Sequence, residues 1–171
     1  DDFIFSNPHE RALLEMILSR QLPFPFSGKS GILLHGTWGT GKTTLAKLLP
    51  DLIEAAHAGI WSVGQGVGQM LAPQPSQAIF DFFGCGGGVS GAMIKQKVES
   101  INSTMPLHHY SRHDYFIIDE IDRLTLGAQQ GLRTTMNLPR CMFFCTTNNL
   151  GNLDRGIVNR CHLIEMNQAT T

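Results

Sequence analysis

The sequence carries almost no net charge: 13 Lys and Arg stand against 14 Asp and Glu, a formal balance of −1. That excludes a global basic field of the kind that draws a whole domain onto nucleic acid, and leaves only a local basic face open. Its four cysteines, Cys85, Cys141, Cys145 and Cys161, contain no C-x-x-C pair. Cys141 and Cys145 share one face of a strand-like run, CMFFC, about 13 Å apart along it, too far for a disulfide. Buried free thiols in a reducing compartment are expected. No apolar run reaches membrane-spanning length and no signal-peptide pattern opens the chain, so no membrane partner is expected. The expected location is cytoplasmic, or nuclear or host cytoplasm for a eukaryotic or viral source. No internal repeat is visible. The first residue is Asp1 rather than Met, which suggests an excised fragment.

What is present is more telling. At 171 residues the chain is one domain by length and needs no staples to bury a core. Residues 36–43, GTWGTGKT, fit G-x-x-x-x-G-K-[ST], the P-loop pattern. An apolar run, GILLH over Gly31–His35, reads as a buried strand before it, and residues 45–49 continue as a helix after it. Such glycines let backbone N–H groups turn inward and cradle phosphate oxygens at a helix N-terminus. The expected nucleotide contacts are Gly36, Thr37, Trp38, Gly39, Thr40, Gly41, Lys42, Thr43 and Thr44. Lys42 should reach the β- and γ-phosphates and the Thr43 hydroxyl should hold Mg²⁺. ATP and Mg²⁺ are the expected cofactors.

A second element follows downstream. Residues 115–118 (YFII) are strand formers and run straight into Asp119 and Glu120. An acidic pair at the end of a buried strand is costly unless it meets a cation. Asp119 is expected to bind the metal through water and Glu120 to polarise the attacking water. Thr146, Thr147, Asn148 and Asn149 follow another strand, and an amide there, Asn148 before Asn149, suits γ-phosphate or water contact. Arg160 in VNRC is a candidate stabiliser of transition-state charge, though spacing alone does not separate it from Arg155 or Arg140. His108, His109 and His113 match no strong metal motif, and a solvated loop is expected there. Trp38 either stacks on a ligand or packs beside the loop.

Around these motifs, strands are predicted over 31–35, 78–83, 115–119, 141–146 and 161–165. Helices are predicted from Asn7-Pro8 to near Gln21, over 45–49, again over 51–57 beyond Pro50, and over 93–103, 126–136 and 154–159. Asn7 should cap the first helix, with Glu10 as its reciprocal partner. Residues 59–75 read as an irregular excursion, and GCGGG after the second strand as a flexible joint. Alternating strands and helices argue an α/β fold: a P-loop NTPase with a five-stranded parallel sheet flanked by helices. The P-loop, Asp119-Glu120 and 146–149 all fall at strand carboxyl ends, where such sheets bind ligands.

With these residues in place the chain resembles AAA+ ATPases, and within them the small subunits of DNA-polymerase clamp loaders. YFIIDEIDRLTLGAQQGLRTTMN (115–137) is similar to the clamp-loader run of an acidic box followed by AQQ-x-LR-x-x-M. FFCTTNNLGNLDRGIVNRC (143–161) resembles their strand, sensor asparagine and S-R-C ending, with Asn159 in place of serine. The resemblance implies an ATPase active in a homo- or hetero-oligomer with neighbouring AAA+ subunits. Asn148 would be the sensor, and Arg160 an arginine finger reaching a neighbour's nucleotide. Gln129 and Gln130 would couple DNA contact to Glu120. IKQKVESINST (94–104) would face DNA, with Lys95 near the phosphate backbone, and primed DNA and a sliding clamp would be partners. Asp2-Phe3-Ile4 would line the adenine pocket. The family's helical lid and collar are not found within residues 1–171, which are expected to form the α/β nucleotide-binding domain with the lid absent, cut away or lying elsewhere. The alternatives are a protein-remodelling unfoldase, for which Phe82-Phe83-Gly84 would be a pore loop, a viral or plasmid replicative helicase, or a nucleotide-binding scaffold. Core packing is the favoured reading of Phe82 and Phe83, and the intact Lys42, Asp119 and Glu120 argue against a scaffold.

Overall fold

A computed structural model describes residues 3, 5–58 and 78–167. Five strands form one all-parallel sheet: β1 (Gly31–His35), β2 (Phe80–Gly84), β3 (Asp114–Asp119), β4 (Cys141–Thr147) and β5 (Cys161–Glu165), in the order β2-β3-β4-β1-β5. Period-two alternation sorts their side chains onto two faces. Ile32, Leu34, Tyr115, Ile117, Met142, Phe144 and Ile164 point into one core layer. Leu33, Phe116, Ile118, Phe143, Cys145 and Cys161 point into the other. A sheet buried on both faces needs helices on both. Helices α1 (Pro8–Leu18) and α2 (Lys42–His57) cover the first, through Leu14, Ile17 and Leu18 and through Leu45, Leu49 and Ile53. Helices α3 (Gly91–Asn102), α4 (Leu126–Thr135) and α5 (Arg155–Val158) cover the second, through Ile94 and Val98, Leu132, and Ile157.

The caps explain the boundaries. Asn7 Oδ1 accepts from His9 N at 2.9 Å and Glu10 N at 3.2 Å, so Pro8 opens α1. The reciprocal half of that cap does not form: Glu10 Oε2 is buried without a hydrogen-bond donor. The helix stops at Leu18 rather than near Gln21, because Arg20 turns left-handed (φ 61°) and its N–H bonds Ile17 O. Residues 42–57 are one helix through Pro50, not two. A proline in a helix interior costs about 3 kcal/mol. Burial of Leu45, Ala46, Leu49, Leu52, Ile53 and Ala56 along the same helix offsets it. Strand β2 begins at Phe80, not at 78. Ala78 N donates to Asp51 Oδ1 (2.8 Å) and Ile79 N to His109 Nε2 (3.0 Å), so neither joins the ladder.

The GCGGG segment is a defined 3₁₀ turn over Cys85–Gly87. All four cysteines are buried and free. Phe83 packs against the second core layer, whereas Phe82 stays 42% exposed with Lys47 Nζ 4.5 Å above its ring. Core packing therefore holds for one of the two phenylalanines. The 59–75 excursion lies outside the described residues, as do Asp2 and Ile4; Phe3 packs on the first core layer. No helix among the described residues is long and apolar enough to cross a membrane.

Candidate functional site

The 36–41 loop leaves β1 and enters α2 with Gly36, Gly39 and Gly41 at φ 140°, 75° and 82°, values that L side chains rarely adopt. Lys42, the first residue of α2, is 7% exposed and folds back over the loop. Its Nζ donates to Thr37 O at 2.5 Å and Gly36 O at 3.0 Å. Burial lowers its pKa, against the pull of Asp119, Asp122 and Glu120. From the outer side, Asn167 Oδ1 accepts from Thr37 N at 3.1 Å. Thr37, Trp38, Gly39 and Thr44 are exposed, and Trp38 is 73% so. Trp38 therefore does not pack beside the loop.

One helical step on, Thr43 Oγ1 donates to Asp119 Oδ1 at 2.7 Å. The same oxygen accepts from Thr146 Oγ1 at 2.7 Å, and Thr146 Oγ1 accepts from Glu120 N at 2.9 Å. The ends of β3 and β4 and the start of α2 are thus tied through one carboxylate. Glu120 sits at φ 53°. Its carboxylate lies 3.8 Å from Arg123 Nε, and a Cβ on Gly86 would come within 2.7 Å of its Oε2. Thr147 Oγ1 donates to Asp122 Oδ1 at 2.9 Å. Asn149 Oδ1 caps the following turn by accepting from Gly151 N at 3.0 Å, whereas Asn148 has no side-chain hydrogen bond among the described residues.

The candidates Lys42, Thr43, Asp119, Glu120 and Asn148 therefore come together at the carboxyl edge of the sheet. Arg160 does not join them. It precedes Cys161, which pairs with Gly31 at the start of β1, so it lies at the opposite edge from its own P-loop. Its Nε donates to Asn137 Oδ1 (2.9 Å) and its Nη1 to Gly156 O (2.8 Å). Gln129, 1% exposed, donates to Leu124 O and Asn152 O and accepts from Asp154 N, bracing α4 against the β4–α5 connection; Gln130 is exposed. On α3, Lys95 lies 3.9 Å from Glu99 and Lys97 lies 3.7 Å from Asp81.

Sequence reasoning missed Thr146 as a second hydroxyl on Asp119, Asn167 behind the loop, and Gly86 and Arg123 around Glu120. Thr146 was within reach, since it lies at the carboxyl end of the strand run that opens the 146–149 segment. The others depend on tertiary approach. The histidine loop also differs from expectation: His109 is 3% exposed, and Nδ1–H donates to His113 O at 2.7 Å while Nε2 accepts from Ile79 N.

Comparison with known proteins gives a consistent picture. The sequence pattern of the family described as "ATPase family associated with various cellular activities (AAA)" matches residues 32–168. Replication factor C subunit 4 of Oryza sativa subsp. japonica is 26% identical over 141 residues. That match takes in 80% of this chain but 36% of the relative, so the chain spans about a third of its length. Among solved structures, a DNA polymerase III gamma subunit-related protein of Thermotoga maritima superposes with a TM-score of 0.61 at 14% identity, over 94% of this chain and 47% of that one. PCH-2 of C. elegans gives 0.58 at 18% identity, over 97% and 44%. The RuvB Holliday junction branch migration motor of T. maritima gives 0.56 at 16% identity, over 96% and 45%. At these identities the structural likenesses show the fold.

Proposed function

The chain belongs to the AAA family of ATPases, and from that premise we propose that it is the nucleotide-binding core of a clamp-loader-like replication ATPase that works in an oligomer. The observation that carries the reading is the Thr43–Asp119–Thr146 junction beside Lys42. A hydroxyl and a carboxylate are hard oxygen donors of the kind Mg²⁺ takes while keeping waters, so these residues fit the ion. Thr43 and Asp119 would hold it, and bound there it supplies charge neutralisation on the β- and γ-phosphate oxygens.

The chain's own groups do the rest. Backbone N–H groups of the 36–41 loop cradle the phosphates, and Lys42 gives up its two carbonyl contacts for phosphate oxygens. Glu120 accepts the proton of the attacking water, and Asn148 donates an amide hydrogen to the γ-phosphate or that water. Arg160, at the far edge of the sheet, acts on the site of a neighbouring subunit. Primed DNA and a ring-shaped clamp are the partners this reading gives the assembly, and the likeness to replication factor C subunit 4 supports its replication role.

The test is ATP turnover by the full-length protein with no DNA, with single-stranded DNA and with primer–template DNA. Strong stimulation by the primed junction over the single strand is the expected result. Equal rates in all three would move the reading to protein remodelling, and coupled strand separation would move it to a helicase.

A further inference from the structure

Asp114 opens β3 at the sheet edge opposite the P-loop, and it is 6% exposed. Its Oδ2 is buried with no hydrogen-bond donor among the described residues. An ionised carboxylate in that state is costly and calls for a cation or a proton. Burial pushes its pKa up, as does Asp81, while His108 and Arg140 pull it down. Two imidazoles stand over it, His108 exposed and His109 buried, with ring centroids 4.1 Å apart. One ligand-capable atom from each of His108, His109 and Asp114 lies within 4.8 Å of the others. Neither imidazole forms an ion pair with the carboxylate among the described residues. Three potential ligand groups thus converge without bonding one another, although the His109 ring is already hydrogen-bonded at both nitrogens.

We propose that His108, His109 and Asp114 form a site for a zinc-like transition-metal dication, independent of the nucleotide site. Two imidazoles and a carboxylate suit such an ion better than Mg²⁺ or Ca²⁺, and three protein ligands leave a fourth position for water. The second shell fits as well. His109 donates its Nδ1–H to His113 O at 2.7 Å, the bond that commonly fixes a metal-bound imidazole and leaves Nε2 its lone pair. Without metal, Ile79 N–H donates into that lone pair at 3.0 Å. Ion and amide therefore compete for one acceptor, and the Ile79 amide reports occupancy. Bonds of about 2.0–2.2 Å require the ligand atoms to close in, a movement the exposed His108 supplies. Asp114 and Asp119 lie at opposite ends of β3, about 16 Å apart along the strand, so the ion serves as a clip on the loop before β3 rather than as part of ATP chemistry.

The experiment titrates Co²⁺ into the metal-stripped, nucleotide-free full chain, with Zn²⁺ as competitor. One equivalent should bind with weak visible ligand-field absorption and no intense thiolate band. The Ile79 amide resonance should shift in step, and Zn²⁺ should displace the cobalt. Outer-shell changes cost about 10–100-fold in metal affinity, so loss of a ligand in His108→Ala or Asp114→Asn should weaken binding at least tenfold. Because His108 is exposed, its variant tests the site even where Asp114→Asn folds poorly. Lys42→Ala and Asp119→Asn should bind Co²⁺ as the parent does, which separates this site from the P-loop. Absence of saturable binding, or His108→Ala binding like the parent, overturns the proposal.

Discussion

Thr43 and Asp119, 76 residues apart in the chain, meet at 2.7 Å, hydroxyl to carboxylate. The contact joins the first turn of the helix after the P-loop to the last residue of strand β3. Thr146 reaches the same carboxylate oxygen from β4. Three elements therefore share a single acceptor at the place where the candidate nucleotide contacts gather.

Removing that hydroxyl should separate metal-dependent from metal-independent nucleotide binding. Hydrogen bonds to charged groups contribute about 1.5–3 kcal/mol, a factor of about ten or more in affinity. Thr43→Ala should lose at least that factor for ATP in Mg²⁺ and change little in EDTA; Thr43→Ser should restore it. Titration of a fluorescent ATP analogue under both conditions decides this, and equal losses in both would show that Thr43 supports the loop rather than a metal.

Arg160 points to chemistry between chains. It lies at the amino edge of the sheet, held by Asn137 and Gly156 O, while Lys42 lies at the carboxyl edge. Arg160→Ala should bind ATP normally and turn over about 10³-fold more slowly or worse, the usual cost of losing an arginine finger. Glu120→Gln should also be slow. An equimolar mixture of the two should regain part of the activity, because one interface then pairs an intact Glu120 with an intact Arg160. A mixture as inactive as its components would remove the trans role.

The sequence was most legible where local pattern and burial agree. β1 and β5 match their expected bounds, and the sheet is parallel as the alternation of elements predicts. The candidate residues 42, 43, 119, 120 and 148 share one edge because each ends or follows a strand, which sequence alone reveals. What it hid depends on distant partners. Pro50 reads as a break, and only packing of α2 on the sheet keeps the helix whole. His109 reads as a loop residue, and only the approach of Ile79 and His113 makes it a buried, doubly bonded ring. Glu120 reads as free to act, while its contacts with Arg123 and the Gly86 turn follow from the fold.

Glu54 should set an acid limit on stability. It is 1% exposed, and its carboxylate accepts from Tyr110 N (2.6 Å), Ser111 N (3.2 Å) and the Tyr115 hydroxyl. Burial alone would raise its pKa, but the bonds from Ser111, Tyr115 and Tyr110 outweigh it and leave the group below its ordinary value. A carboxylate depressed in the folded state contributes stability that is present above the unfolded pKa of about 4.3 and is lost as pH falls through the folded value. Glu54→Gln should destabilise the domain by about 2–3 kcal/mol near neutrality and flatten the stability–pH curve below about pH 4.3. Urea unfolding across that range measures both, and an unchanged slope would assign the acid sensitivity to other carboxylates.

Gly36 should be the least replaceable glycine of the loop. At φ 140° it occupies a region closed to side chains, and a Cβ there would run into the Met166 carbonyl oxygen and lie 2.9 Å from Asn167 Oδ1. Those atoms cannot yield easily, because Met166 N bonds His35 O at 2.7 Å and Asn167 holds Thr37 N. Backbone strain of this kind costs about 1–3 kcal/mol before any clash is counted. With about 2–4 °C lost per kcal/mol in a domain of this size, Gly36→Ala should lower Tm by roughly 5–10 °C. It should abolish ATP binding as well, since the loop must shift to admit the methyl group. Gly127 in α4 is the control: nothing lies within 4 Å of its Cβ position, and alanine in a helix is favoured by about 0.5–1 kcal/mol. Gly127→Ala should therefore hold or raise Tm. Equal melting and equal ATP binding in both variants would mean that the β1–β5 exit is looser than the Met166 and Asn167 contacts imply.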